Sequence, residues 1–216
     1  MKKYLFPSLM VLCLTAVSSC IGEDVFTVNN VEELVTVNGD ALVSDFGNVF
    51  TVTDNQTGKT DWKISGTRYL ALFDILNRSL EIKLKQMEKI EIVHPEEKVE
   101  WVTVPKDPVY LVATSVSGGY ANVFFQTYKA KNSDYPVNIF WQIEEKNGSA
   151  KLYLYVDGNN ENPAFLEQSQ LETVNHYVSI PLDFNTIGSL SLTTHVLFTQ
   201  SEGKYEIVQN TYPFRI

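Results

Sequence analysis

The 216-residue chain is poor in cysteine, with Cys13 inside an apolar N-terminal run and Cys20 just after it. If that run is removed on export, Cys20 is the single thiol left. The mature chain then has no second thiol for a disulfide and no set of thiolates for a zinc site. The 197 residues after position 19 must be stabilised by an apolar core, and they are enough for one large β domain or two small ones.

Basic residues are also scarce. Lys and Arg number 17 against 26 Asp and Glu, and loss of Lys2 and Lys3 with the leader changes the formal charge from −9 to −11. A chain of this charge repels polyanions at long range. Lys83, Lys85 and Lys89 are interleaved with glutamates and form no basic patch. We therefore expect no nucleic-acid partner.

Residues that carry catalysis or bind metals are few. His94, His176 and His195 are about 80 and 20 residues apart, which is no local metal-binding spacing. The sequence has no Gly-x-Ser-x-Gly elbow, and Ser117, which two glycines follow, is typical of a hairpin turn. We expect no catalytic residue, no metal ligand and no cofactor.

Acidic residues offer two weaker alternatives. Residues 157–162 place oxygen-bearing side chains as calcium prefers, but the glycine is second rather than sixth and the twelfth position is Gln168. A plain turn explains that segment better. Glu144, Glu145 and Asp157 are nominal candidates for a hydrolase, which would need two carboxylates converging in a cleft.

The N-terminal segment carries the strongest signal. Lys2 and Lys3 precede an apolar run over 5–17, which is shorter than the roughly 20 residues that span a bilayer. The small residues 17–19 before Cys20 are typical of a lipoprotein cleavage site. We predict a signal peptide over 1–19 and palmitate-type lipidation of Cys20, which anchors the chain because each buried methylene contributes about 0.8 kcal/mol. The alternative is an ordinary signal peptide with an incidental cysteine.

A short tether over 20–30 follows, with Glu23 and Asp24 near its start. In some Gram-negative lineages, acidic residues directly after the lipidated cysteine mark export to the cell surface. A solvated linker fits the same residues equally well. The expected location is therefore the outer membrane, lipid-anchored, on the periplasmic face or at the cell surface.

The apolar pattern predicts β-structure nearly throughout the mature chain. Residues 31–97 contain about five strand patterns, including 47–53, 67–76 and the alternating run 80–85. The segment 60–64 is predicted as a short returning strand. Strands of this number and length fit a small, partly closed barrel.

Residues 98–216 are predicted as an antiparallel β-sandwich, after a proline and a charge run interrupt the apolar pattern over 94–98. Glycine turns after Ser117 and at Asn147 predict two hairpins. Residues 99–104 fit a linker strand. Residues 165–173 fit a short helix or an irregular crossover.

Aromatic side chains are concentrated in the second half of the chain. At strand spacing they usually fill a sandwich core, although a few on an exposed face could bind a partner or stack on sugar rings. The residues concerned are Tyr120, Phe124, Phe125, Tyr128, Tyr135, Phe140, Trp141, Tyr153 and Tyr155.

The order of these features resembles the NigD-like lipoproteins of Bacteroidetes. The resemblance is carried by Gly66-Thr67-Arg68-Tyr69, the lysine-bearing strand 80–85, Asp107-Pro108 and the hairpin 117–123. It covers most of the mature chain and implies an N-terminal OB-like domain followed by a C-terminal β-sandwich. The family has no established activity, so the resemblance implies no catalytic residue.

Two functions remain open. The first is a non-catalytic binding or assembly module for an envelope protein or a glycan, which the missing catalytic cluster favours. The alternative is a surface hydrolase that acts on glycans from a cleft in the sandwich. An exposed apolar or aromatic patch would support binding, and two acids at glycosidase separation would support hydrolysis.

Overall fold

The computed structural model describes residues 26–97, 107–131, 137–157, 171–199 and 205–215. These ranges hold thirteen strands and no helix, and hence no helix that could cross a membrane. The predicted all-β fold is confirmed. The predicted signal peptide and Cys20 lie outside the described residues.

The strands fall into an N-terminal group of five and a C-terminal group of eight. They are β1 Val28–Asn38, β2 Ala41–Ser44, β3 Val49–Asn55, β4 Arg68–Ile75, β5 Glu81–Ile92, β6 Glu96–Glu97, β7 Tyr110–Ser117, β8 Tyr120–Ala130, β9 Asn138–Lys146, β10 Ser149–Asp157, β11 Leu171–Pro181, β12 Ser189–Thr199 and β13 Tyr205–Pro213.

Strands β1 to β5 close into a barrel. β1 pairs with β2 and β4, β2 pairs with β3, and β4 pairs with β5, all antiparallel. A parallel pairing of β3 with β5 closes the ring, which gives the OB arrangement that the sequence predicts. Alternate side chains point inward, and Val35, Phe50 and Phe73 are fully buried there.

Two details of the barrel differ from the sequence expectation. The predicted strand over 60–64 is wrong, because Trp62 instead packs into the barrel core as part of an extended loop. That loop is held by hydrogen bonds between side chains and backbone, such as Asn55 Nδ2 to the Lys59 carbonyl at 2.9 Å. The four-residue β2 was not predicted, because so short a run has no measurable alternation.

The C-terminal half forms a sandwich of two sheets around a second core. One sheet runs β5-β11-β8-β7 as the continuation of the barrel, and the other runs β13-β12-β10-β9-β6. Leu152, Leu192 and Phe125 are fully buried between them. Most pairs are antiparallel, as predicted, and the structure adds parallel pairings of β10 with β12, β11 with β5, and β6 with β9.

Both predicted hairpins are confirmed. The β7–β8 turn has positive φ at Gly118 (58°) and Gly119 (82°). The β9–β10 turn has positive φ at Asn147 (51°) and Gly148 (75°). Two consecutive left-handed residues are the signature of a type I′ turn, whose twist matches that of the flanking strands.

The boundary between the two halves is crossed by a continuous sheet. β11 of the sandwich pairs with the end of β5, with Val178 opposite Glu91 and Ser179 opposite Ile92. The domain limits therefore stay a prediction. The predicted linker strand 99–104, most of the possible calcium loop and residues 165–170 of the crossover lie outside the described residues, whereas 171–173 belong to β11.

Candidate functional site

One face of the eight-stranded sheet turns away from both cores, and we call it the outer face. In β4, Tyr69, Ala71 and Phe73 point into the barrel. Because successive side chains of a strand alternate between its faces, Arg68, Leu70 and Leu72 point outward. The pairing registers continue this face across five strands. Its central residues are Glu32, Leu34, Thr36, Arg68, Leu70, Leu72, Gln86, Glu88, Ile90, Asn122, Phe124, Gln126, Asn175, Tyr177 and Ser179.

Arg68 is the largest buried polar side chain of the outer face, with 1% of its surface exposed. Its Nη1 and Nη2 donate to the two carboxylate oxygens of Asp45 at 2.9 and 2.8 Å, which makes a bidentate pair. Its Nε donates to the Ser179 hydroxyl at 3.0 Å. The guanidinium carbon also lies 3.9 Å from the centre of the Tyr120 ring, within cation–π range.

A chain of hydrogen bonds links this pair to the sandwich. The Ser117 hydroxyl donates to Asp45 at 2.7 Å, and Asn122 Nδ2 donates to the Ser117 oxygen at 3.0 Å. The Ser179 hydroxyl donates in turn to Asn122 Oδ1 at 2.7 Å. We call Asp45, Arg68, Ser117, Asn122 and Ser179 the junction network, because it joins the β2–β3 loop and β4 of the barrel to β7, β8 and β11.

The geometry of the junction network indicates a structural role. A buried ion pair is tolerated only when its charges are compensated and its remaining donors and acceptors are hydrogen-bonded. Arg68 meets this condition with Asp45, Ser179, Thr36 and Asn122. Arg68 does not line the pocket described next, and its bonds to Ser179 and Asn122 hold the two halves together.

An open pocket of about 430 Å³ lies further along the outer face. Leu70 and Leu72, both half-buried, form its floor. The loop after β3 forms one wall, and Lys59 Nζ fixes that wall by donating to the Met87 carbonyl at 2.9 Å. The full lining is Glu32, Gln56, Thr57, Lys59, Leu70, Leu72, Lys85, Gln86, Met87 and Glu88.

Some of the charged side chains around this pocket have a bonded partner and others do not. Lys85 Nζ donates to Asp74 at 2.6 Å, and this hydrogen bond, helped by the Asn30 backbone N–H, lowers the pKa of Asp74. Neither Glu32 nor Glu88 has a hydrogen bond or an ion pair within the described ranges. The pocket therefore carries two lysines, Lys85 paired with Asp74 and Lys59 bonded to a backbone carbonyl, and two carboxylates open to a partner.

Tyr177 lies near the same carboxylates. Burial raises the pKa of its hydroxyl, and the negative charges of Glu88 and Glu32 raise it further. Its ring stacks on Phe124 with centroids 4.2 Å apart and planes 4° apart. The two residues lie on adjacent strands, and each ring covers one face of the other.

The three acids nominated from the sequence do not form a site. Glu144 lies opposite Lys151 in the β9–β10 register, and Asp157 lies six residues further along β10, about 20 Å away. Glu145 follows Glu144 directly, so the two side chains leave opposite faces of the strand. Glu144 instead accepts a hydrogen bond from the Tyr153 hydroxyl at 3.0 Å.

The three histidines lie on separate elements. His94 is exposed between β5 and β6. His176 is half-buried, with Nε2 2.9 Å from the Thr127 hydroxyl, and burial lowers its pKa. His195 lies against the Tyr155 ring. Within the part of the chain that the structure describes, no three His, Cys, Asp or Glu residues are grouped to hold a metal ion.

The aromatic residues divide between core and surface. Phe125, Trp141 and Tyr155 are buried, as the core interpretation predicts. Phe140 is 44% exposed on the opposite sheet, whereas Phe124 is half-buried on the outer face. Tyr135 lies outside the described residues. Sequence alternation alone does not show which face of a strand is covered.

Sequence reasoning missed the partners of Arg68 and the pocket. Arg68 was quoted for the family resemblance and Ser117 as a turn residue, without a role for either. Asp45 and Ser179 carry no local signal, since Ser179 is 111 residues from Arg68 in the chain. Glu32 and Glu88 read as ordinary solvated charges on alternating strands.

No protein-family model and no curated protein matches the sequence. Solved structures do match it. A Bacteroides vulgatus protein of unknown function superposes with TM-score 0.59 at 18% identity, over 84% of this chain and 90% of that one. A NigD-like immunity protein from Bacteroides caccae gives TM-score 0.57 at 17% identity, over 90% and 99% of the two chains.

A third solved structure, from Bacteroides fragilis and named as a candidate lipoprotein, gives TM-score 0.52 at 14% identity, over 86% of this chain and 97% of that one. Identities this low establish the shared fold and no more. The resemblance seen in the sequence is thus confirmed as a fold, and this chain has the two-part all-β fold found in a NigD-like immunity protein of Bacteroides.

Proposed function

We propose that the chain is a non-catalytic lipoprotein of the cell envelope, anchored by lipid on Cys20, that binds a partner through its outer face. The observation that carries this proposal is the pocket over Leu70 and Leu72. It combines half-exposed apolar side chains with the unpaired carboxylates of Glu32 and Glu88. Concave sites that combine apolar side chains with a few polar groups are where ligands and partners usually bind.

The anchoring half of the proposal rests on the leader sequence and on the solved lipoprotein candidate that shares the fold. A lipid-held protein at the outer membrane is concentrated near other envelope components, so a moderate affinity is enough for function. The hydrolase alternative is not advanced, because Glu144 and Asp157 lie about 20 Å apart along the sheet.

Lipidation has a matched control in the chain itself. Cells are fed an alkyne fatty acid, and the tagged protein is captured and labelled. We expect Cys20→Ala to lose the label and to leave the membrane fraction. Cys13→Ala should keep both, because position 13 is removed with the signal peptide. Equal labelling of the two variants would contradict lipidation at Cys20.

Binding through the outer face is tested by photo-cross-linking in intact cells, followed by mass spectrometry. A benzoyl-phenylalanine replaces Leu72 in the pocket floor, and in the control it replaces Lys151, which is exposed on the other sheet. We expect a reproducible adduct with one envelope component from position 72 and none from position 151. No adduct at position 72, at normal expression, would overturn the binding role.

A further inference from the structure

We infer that the pocket on the outer face receives a lysine or arginine side chain presented by a protein segment. This inference rests on the proposed binding function and names the chemistry of the partner. The surface consists of the floor leucines Leu70 and Leu72, the carboxylates of Glu32 and Glu88, and the loop wall that carries Lys59. Its shape and charge fit a side chain that is apolar along its stem and cationic at its end.

The floor fits the stem of such a side chain. Leu70 and Leu72 lie on one strand two residues apart, so their side chains stand about 7 Å apart on the same face. The methylene stems of lysine and arginine pack on apolar surface of this kind and keep the charged end in water. A floor of leucines offers this contact without demanding a fixed orientation.

The carboxylates fit the cationic end. Glu88 lies opposite Leu70 on β5, and Glu32 lies opposite Leu72 on β1, so the two acids flank the floor from both sides. Of the two lysines in the lining, Lys85 is already bonded to Asp74 and Asn30, and Lys59 is bonded to the Met87 carbonyl. An incoming ammonium or guanidinium would therefore supply the counter-charge that these two carboxylates lack within the described ranges.

Charge on the whole chain points the same way. The mature sequence has a formal charge of −11. Such a chain attracts basic segments at long range and repels acidic ones, and the attraction falls as salt increases. A pocket with two open carboxylates is where that attraction becomes a specific contact.

The same geometry argues against a sugar as the occupant. Sugar rings stack on open aromatic faces, but the aromatic pair nearest the pocket, Phe124 and Tyr177, is stacked on itself at 4.2 Å. The pocket floor is aliphatic rather than aromatic. Its open polar groups, two carboxylates and the Gln86 amide, are mainly acceptors, whereas a neutral glycan needs a balanced mixture of donors and acceptors.

The test uses the full-length lipidated protein in detergent micelles and fluorescein-labelled hexapeptides followed by anisotropy. The probe alternates lysine and leucine, and two control peptides replace lysine with glutamate or with norleucine. We expect binding of the lysine peptide alone, with an affinity that falls as sodium chloride increases. Glu32→Gln combined with Glu88→Gln should weaken that binding about tenfold or more.

A second double variant controls for net charge. Glu91→Gln combined with Glu145→Gln removes the same two charges from exposed positions outside the pocket and should leave the affinity within twofold. Equal weakening by both double variants, or equal binding of the norleucine peptide, would overturn the inference. Displacement of the lysine peptide by chitohexaose or by a neutral oligosaccharide would also overturn it, in favour of a glycan.

The outcome is separable from that of the proposed function. If position 72 cross-links an envelope protein and the Glu32→Gln, Glu88→Gln variant cross-links it equally well, the binding role stands and the basic-side-chain inference fails. If position 72 yields no adduct, the binding role itself fails. Circular dichroism spectra that match those of the parent protein show that each variant is folded.

Discussion

The junction network and the pocket lie on the same outer face and use similar residue types in opposite ways. In the junction network, the charges of Arg68 and Asp45 are buried and fully hydrogen-bonded. In the pocket, the charges of Glu32 and Glu88 are exposed and unpaired within the described residues. A satisfied polar cluster indicates a structural role, and an unsatisfied one beside apolar surface indicates a place for a partner.

The difference comes from what covers the sheet. Over Arg68, the β2–β3 loop and the β7–β8 hairpin close together, and Ser117 bonds Asp45 across the gap. Over Leu70, no element of the described chain closes the face, and the loop after β3 only walls one side. Removing a charge should therefore cost stability at the first place and binding at the second.

The largest expected effect is at the junction network. Arg68→Met leaves the Asp45 carboxylate buried without its counter-charge, so we expect a loss of about 3–5 kcal/mol in the free energy of unfolding, measured by urea denaturation. Arg78→Met, at an exposed turn position, should change it by less than about 0.5 kcal/mol.

A double variant sharpens that result. Arg68→Met combined with Asp45→Leu removes both charges and should recover much of the loss, because replacing a whole buried pair by apolar groups is often neutral. If the double variant is as unstable as the sum of the single variants, the ion pair is not the source of the effect.

The next effect in size is at the hairpin turn. A Cβ on Gly118 would clash with the Asp45 carboxylate, whereas a Cβ on Gly119 would meet nothing within 4 Å. Both residues have positive φ, so each alanine variant loses about 1–2 kcal/mol in backbone strain. Gly118→Ala should lose measurably more than Gly119→Ala, since it also displaces Asp45. Equal thermal midpoints for the two variants would show that the close approach of Gly118 to Asp45 does not contribute to stability.

The smallest expected effect concerns pH. Burial raises the pKa of Glu33 above its ordinary value of 4.5; interaction with Ser44 partly offsets the rise and the charge of Asp45 adds to it. The folded state then holds this proton more tightly than the unfolded state. The Glu33 contribution to stability is therefore complete below about pH 4.5 and is lost as pH rises through the folded pKa.

Glu33→Gln removes this dependence. The variant should be more stable than the parent protein at pH 7, and the difference should shrink or vanish at pH 4, as measured by urea denaturation at both values. Glu96→Gln, at an exposed position, should show no such pH dependence. A variant that is less stable at pH 7 would mean that ionised Glu33 is stabilised by its surroundings.

Local residue patterns predicted most of the fold. The alternation over 80–85 predicted the first half of β5, and the glycine and asparagine turns predicted both hairpins. Periodicity failed over 60–64, where Trp62 is buried by the barrel rather than by a strand neighbour. A small barrel followed from the number and length of the strands, whereas its OB arrangement was implied by the family resemblance.

The site could not be predicted in the same way. Arg68 and Asp45 are 23 residues apart in the chain, and no periodicity relates a strand residue to a loop residue at that distance. Nor does alternation distinguish an outward leucine over open surface from one that another layer covers. Leu70 and Leu72 alternate with core residues of β4, yet they are only half-buried and form the pocket floor.

The most direct test of this contrast is the free energy of unfolding of the Glu32→Gln, Glu88→Gln variant in urea, measured beside Arg68→Met. We expect the free energy of unfolding of the pocket variant to lie within about 0.5 kcal/mol of that of the parent protein, since neither carboxylate has a bonded partner to lose within the described residues. A loss of about 3 kcal/mol or more, as expected for Arg68→Met, would contradict it. Glu32 and Glu88 would then belong to the structure of the sheet and not to a binding site.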